Sequence, residues 1–315
     1  MLIGWLLSSG KLDLRALGRV FGDPVLFVGN MLCWTLCALV IAAARWRLLL
    51  RGLGIHLRFS TAIRLQFIAL FANTAVPGNV AGDVLKNVLA ARELPALTLT
   101  RTLTCVLLER VVGLIALVAI SVIAVSLRFS EVYARAPSLV LFSYLLGLGT
   151  LGGVVVALVA AKLATRARAQ ADETAATAPT FVSKIRDRIA DVGDALFTIA
   201  KRPAILGGAI GLSLAMHLLY VALFVALGQK ITPTQLPILD VCVVYPIGML
   251  TSILPLAPGG IGVGHAAFSA LFALFGATGG ADIFNVFLVG QLVPNLVGVV
   301  PYLLDSGART PTKSQ

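Results

Sequence analysis

The sequence predicts an all-α, polytopic membrane protein in which two broken or re-entrant helical hairpins form an inverted repeat. Three observations carry that prediction. Of 315 residues, 58% are hydrophobic and only 12% are charged, about half the charged share of a soluble domain. Mean hydropathy is +0.96. The apolar residues fall in unbroken runs, whereas barrel strands would alternate over about ten residues. These properties exclude a disordered chain, a disulfide scaffold and an ordinary cytosolic enzyme. The whole of 1–315 reads as one transmembrane domain.

The elements follow in order. Met1–Leu7 is apolar but too short to cross a bilayer. It has no basic start and no small-residue cleavage site, so it is not a signal peptide. It reads either as the tail of a first spanning helix or as a short interfacial segment. Runs near the ~20 residues that a bilayer needs lie at 25–44, 102–127, 138–161, 203–227 and 283–304. Two more apolar stretches are broken: 61–97 at Pro77-Gly78-Asn79, and 237–276 at Pro258-Gly259-Gly260. The polar stretch 162–202 opens with Lys162, Arg166 and Arg168 and a linker of small residues. Phe181, Ile185, Ile189, Val192 and Leu196 then recur at helical spacing, with Lys184, Arg186 and Arg188 between them. That pattern makes an amphipathic helix suited to the membrane surface, with a plain solvated connector as the alternative. A stretch of this size is too small for a catalytic domain.

Charge sets the topology. Lys and Arg total 25 against 14 Asp and Glu, a net charge of +11. The basic residues cluster at the ends of apolar runs, so positive-inside orientation and anionic lipid headgroups explain them, not nucleic acid. The 162–202 loop and the segment Arg45–Arg64 are therefore expected on the cytoplasmic face of the inner membrane. Two spans separate them, so the stretch between Arg64 and Arg101 must return to its starting side. Its second leg holds Asp83, Lys86, Asn87, Arg92 and Glu93, which suits no lipid-facing span. A hairpin entering from the cytoplasm satisfies both conditions, provided that protein or a wet cavity covers its turn. The second half repeats the plan with opposite orientation, leaving Lys230 alone outside and Arg309 and Lys313 inside. Paired Gly/Pro-interrupted segments in inverted halves are the sequence pointer to a transporter-type site.

Few residues carry chemistry. Glu109-Arg110 lies within a span, where charges are costly and face an interior. Consecutive residues point about 100° apart, so the two need not pair. Arg110 can hold a lipid phosphate with Glu109 fixing it, or the two can serve structure alone. Asp83 and Lys86 are three apart, on one helix face, either lining the cavity or forming a surface pair. Gly259, Gly260, Gly262 and His265 form a glycine-rich turn before a half-helix, whose exposed N–H groups attract anions. His217, mid-span, reads as a hydrogen-bonded core group, and Arg45-Trp46-Arg47 as an aromatic and basic interface anchor. Cys33, Cys37, Cys105 and Cys242 read as buried free thiols with no disulfide and no metal. There is no P-loop, HExxH or GxSxG.

At these residues the chain resembles the membrane domain of lysylphosphatidylglycerol synthases and their stand-alone, flippase-like relatives. The resemblance rests on Arg45-Trp46-Arg47, Asn73 with Val76-Pro77-Gly78-Asn79-Val80-Ala81-Gly82-Asp83, Glu109-Arg110-Val111, and Pro255 with Pro258-Gly259-Gly260-Ile261-Gly262-Val263-Gly264. It covers nearly the whole chain. His265 stands where the family usually has a glutamate, and Asn79 and Asn295 stand where it often has arginines. A hydrogen bond between His265 and Asn295 is therefore expected in place of an ion pair. The resemblance implies binding or transbilayer movement of a polar lipid, with the site built from Asn79, Asp83, Lys86, Glu109, Arg110, Gly259, Gly260, Gly262, His265 and Asn295. It implies no cofactor and no aminoacyl-transferase activity. The implied partners are membrane lipids with anionic headgroups, and either a further copy of the chain or a separately encoded transferase. A secondary transporter of a small anionic solute and a non-transporting scaffold are the alternatives.

Overall fold

The computed structural model describes residues 18, 20, 22–75, 81–94, 98–172, 181–252 and 262–307, and within these every regular element is a helix. Helix α1 runs Pro24–Gly52 and is π-helical over Thr35–Ile41. It begins where Asp23 accepts a hydrogen bond from the Leu26 amide and Pro24 presets the first turn. Helices α2 (Phe59–Ala75) and α3 (Ala81–Glu93) form the first hairpin. Helix α4 (Leu99–Leu127) follows, then short α5 (Phe129–Arg135) and long α6 (Pro137–Asp172). Helix α7 (Phe181–Ala200) packs back on α6, and α8 (Pro203–Ile231) returns through the bundle. Helices α9 (Ile238–Ser252) and α10 (Val263–Leu274) form the second hairpin. Helices α11 (Gly280–Val297) and α12 (Val299–Gly307) close the chain.

Among the described residues, five helical stretches are long and apolar enough to cross a membrane: Pro24–Gly52, Thr104–Leu127, Pro137–Arg166, Pro203–Ile231 and Gly280–Leu304. The chain is thus an α-helical, multi-pass membrane protein. The expected turns at Pro77-Gly78-Asn79 and Pro258-Gly259-Gly260, and the segment Met1–Leu7, lie outside the described residues.

The two hairpins open toward opposite ends of the bundle. At one end, Arg47 at the foot of α1 donates to the Leu57 carbonyl and lies over Phe59, and Arg64 pairs with Glu93. The open end of α2–α3 is therefore beside Gly52. At the other end, Asp240 at the start of α9 lies 3.4 Å from Arg128 and 3.9 Å from Arg135. Arg135 also lies over the Phe275 ring just beyond α10. Lys230, expected to stand alone, is held 3.1 Å from Asp23 at this same end, because antiparallel α1 and α8 bring start and finish together.

Among the described residues, two apolar cores build the bundle. One surrounds the second hairpin and is rich in aromatic rings: Trp34, Tyr220, Phe224, Tyr245, Phe268, Phe284 and Phe287. The other packs Trp46, Leu49, Leu50, Leu65 and Ile68 around the first hairpin. Helix α7 turns part of its apolar side inward. Ala190 and Ile199 are fully buried, and Ile199 sits over Gly52, where an added Cβ would strike its side chain. The apolar face over these residues is used for packing on protein. Cys37, Cys105 and Cys242 are buried free thiols as expected, but Cys33 is only half-buried.

Candidate functional site

Backbone contact between α2 and α3 positions the site. Gly82 lies where α3 meets α2, and a Cβ there would strike the Ala69 carbonyl. Only glycine permits that approach. The Gly82 amide then donates to Asn73 Oδ1 at 2.7 Å, giving an otherwise unpaired helix-start N–H its partner. This fixes α3 so that Asp83 and Lys86, one turn apart, point at α4.

Lys86 is 1% exposed and sits at the centre. Its Nζ is 2.9 Å from Glu109 Oε2, 3.1 Å from Glu109 Oε1 and 3.4 Å from Asp83 Oδ1. It also donates to Gln66 Oε1 at 3.1 Å and lies 5.1 Å from the centre of the Trp46 ring. Trp46 Nε1 donates to Asn87 Oδ1 at 3.1 Å. Burial of an ammonium is tolerable only with such a set of partners.

Arg45 enters from α1. Its Nη1 donates to Ser213 Oγ on α8 at 2.8 Å, and its Nη2 is 4.0 Å from Glu109 Oε1. Its Nε is buried without a hydrogen-bond partner. Arg110 pairs with Asp83 and, 39% exposed, forms the rim. Glu109 therefore holds Lys86 and Arg45, whereas the sequence alone leaves it either to fix Arg110 or to serve structure. The 100° between consecutive helical residues separates the two roles.

These side chains surround a cavity of about 310 Å³. Arg45, Gln66, Asn73, Asp83, Lys86, Glu109, Arg110 and His217 line its polar side. Trp34, Leu114, Leu117 and Met216 line its apolar side. Three cations face two carboxylates, an excess of one positive charge. A group with an anionic oxygen, a hydroxyl and an apolar body finds partners here for each part.

Four of the expected residues, Asp83, Lys86, Glu109 and Arg110, are thus brought together. Asn79, Gly259 and Gly260 lie outside the described residues. Gly262, His265 and Asn295 do not line this cavity. Gly262 takes a φ of 91° and opens α10. Its amide donates to His265 Nδ1 at 3.2 Å, and His265 Nε2 lies 3.4 Å from Asn285 Oδ1. His265 therefore accepts at Nδ1 and donates at Nε2, acting as the side-chain half of a helix cap. Its polar partner is Asn285 in place of the expected Asn295, since Asn285 stands one helix turn after Asp282, beside the start of α10. Asn295 is buried farther along α11.

Sequence reading missed Arg45, Gln66, Asn73 and Ser213. Arg45-Trp46-Arg47 is no interface anchor: Arg45 faces the cavity, Trp46 is fully buried, and Arg47 ties α1 to the Leu57 carbonyl. Gln66 was findable as an amide in an apolar run. His217 is the hydrogen-bonded group expected, with Nδ1 3.3 Å from Tyr245 Oη, yet it also lines the cavity.

A family model described as lysylphosphatidylglycerol synthase TM region matches residues 1–298. No curated protein and no solved structure gives a significant match.

Proposed function

Because the chain belongs to the lysylphosphatidylglycerol synthase TM-region family and is an integral membrane protein of lipid handling, we propose that it binds the headgroup of a polar phospholipid and moves it across the cytoplasmic membrane. The carrying observation is the charged cavity among Arg45, Lys86 and Glu109, enclosed by helices long enough to span a bilayer. A charge at the bilayer centre costs at least ~2.5 kcal/mol, so intramembrane charges mark substrate paths by default. The excess positive charge suits an anionic phosphodiester, and the unpartnered Arg45 Nε offers it a donor. Hairpins that open to opposite ends support alternating access, with re-entry from opposite faces and a cytoplasmic C-terminus in this reading. The protein is then a carrier and not an enzyme.

The test is reconstitution of the full chain in liposomes with a fluorescent phosphatidylglycerol, its leaflet followed by a membrane-impermeant quencher. Exchange should exceed that of empty liposomes and return to background with Lys86→Met. Equal exchange with and without protein overturns the reading. Uptake of inorganic phosphate without lipid movement would replace it with a solute carrier.

A further inference from the structure

We propose that the seam between α1 and α8 is the path by which a phospholipid reaches the charged cavity, its acyl chain in an apolar groove while its headgroup is held at Arg45 and Lys86. This path rests on the lipid reading above.

The groove has a volume of about 640 Å³ and lies between the first turns of α1 and the last turns of α8. Gly29, Ala222 and Ala226 give it depth, and a Cβ on Gly29 would meet nothing within 4 Å. Its outer mouth carries the Asp23–Lys230 pair. Its inner end abuts the charged cavity. Cys33 lines the groove and the next residue, Trp34, lines the cavity. On α8, Leu219 lines the groove, whereas Met216 and His217 line the cavity. Met216, Leu219, Leu223, Ala226 and Lys230 recur at intervals of three and four, which is one helix face. Groove and cavity thus follow a single stripe of α8, apolar along most of its length, with Lys230 at one end and the charges of α1, α3 and α4 facing the other.

At the waist between them the Trp34 and Tyr220 rings meet, their centres 5.0 Å apart, and the hydrogen bonds from α1 to α8 are weak. Cys33 Sγ lies 3.7 Å from the Leu219 carbonyl, and Cys37 Sγ lies 3.8 Å from that of Met216. Thiols are weak donors, so parting the helices there gives up little hydrogen bonding beside the ring contact. The π-helical segment starts at Thr35, beside this waist. Such segments recur at functional sites, and the altered phase turns Arg45 toward the cavity. A second groove, between α4 and α6, serves as the contrast. It is about 340 Å³, lined by residues such as Ile115, Val122 and Leu151, with no charged residue among its lining. Of these two grooves among the described residues, the one at the α1–α8 seam joins a charged pocket, which is the shape of an amphiphile.

The experiment uses the full chain in liposomes containing phosphatidylglycerol with a photoactivatable diazirine on one acyl chain. Adducts mapped by mass spectrometry should favour 25–33 and 219–226 over 115–122 and 147–154 by about tenfold. Lys86→Met should bring the first pair down to the level of the second. Equal labelling of the two grooves, or labelling indifferent to Lys86→Met, overturns the path. Movement of the fluorescent lipid gives a separate readout. Gly29→Trp, and Ala226→Phe from the opposite helix, should slow it by about tenfold, while Leu151→Trp in the contrast groove leaves it unchanged. Elution as monodisperse as wild type checks that each variant folds. If wild type moves lipid and both groove-filling variants move it equally fast, the path is refuted and the proposed function stands. If no variant or wild type moves lipid but the adducts stay concentrated and Lys86-dependent, the seam stands as a lipid site and translocation is refuted.

Discussion

Lys86 is almost wholly removed from solvent, and each of its donors has an acceptor: Glu109, Asp83 or Gln66. The consequence is asymmetry. Replacing Lys86 alone leaves Glu109 charged, buried and short of its nearest partner. Lys86→Met should lower stability by about 3–5 kcal/mol, and adding Glu109→Gln should recover most of the loss, as a double-mutant cycle by denaturant unfolding in detergent would show. Equal losses in the single and double variants would mean that the pair is not coupled. His265 has a smaller task, receiving the Gly262 amide at the start of α10. His265→Ala should cost about 1 kcal/mol, whereas His265→Gln, which keeps an acceptor within reach, should cost less, read as thermal unfolding in detergent. The sequence marks Lys86 because it shares a helix face with Asp83, and His265 because it follows a glycine-rich turn. It could not name their partners. Glu109 is 23 positions from Lys86, and Asn285 was one of several amides that could have met His265.

At the scale of elements, helix ends and helix crossings decide the geometry. Asp23 both caps α1 through the Leu26 amide and ties α1 to Lys230 on α8. The Leu26 amide and then Lys230 hold its carboxyl below the ordinary 3.8. A depressed folded value means that this contribution is complete above pH 3.8 and is lost as pH falls through the folded value. Hydrogen exchange at the Leu26 amide should therefore rise, relative to the intrinsic rate, only below that range, and Asp23→Ala should raise it at neutral pH. An unchanged protection factor in the variant would remove the cap from the account. The capping sequence, Asp followed by Pro, was plain to read. The π-helical turn was not, because Thr35–Ile41 is as apolar as its neighbours and nothing in its composition signals an extra residue per turn. That turn changes which face of α1 carries Arg45, so an arginine that read as an interface anchor lies instead in the cavity.

Across the whole molecule, the two halves meet at glycines. Gly298, between α11 and α12, lies against the Phe67 carbonyl and Phe71 Cβ of the first hairpin. Gly298→Val has to push backbone aside, so it should lower stability by about 1–3 kcal/mol or more, measured as a fall in unfolding temperature in detergent. A neutral outcome would mean that the halves can part without loss. The sequence by itself determined the membrane class and the five apolar spans. Hydrophobic run length is a local property, set by bilayer thickness. It also marked Glu109 and Arg110, as charges in an apolar run, and Asp83 and Lys86, as a pair on one helix face in a leg that suits no lipid-facing span. Only the tertiary structure decided that these four share a cavity with Arg45, Gln66 and His217, and that His265 and Asn295 lie away from it. Which side chains meet depends on helix phase, crossing angle and the close approaches that Gly82 and Gly298 permit. Those are properties of pairs of helices, and no single run of sequence contains them.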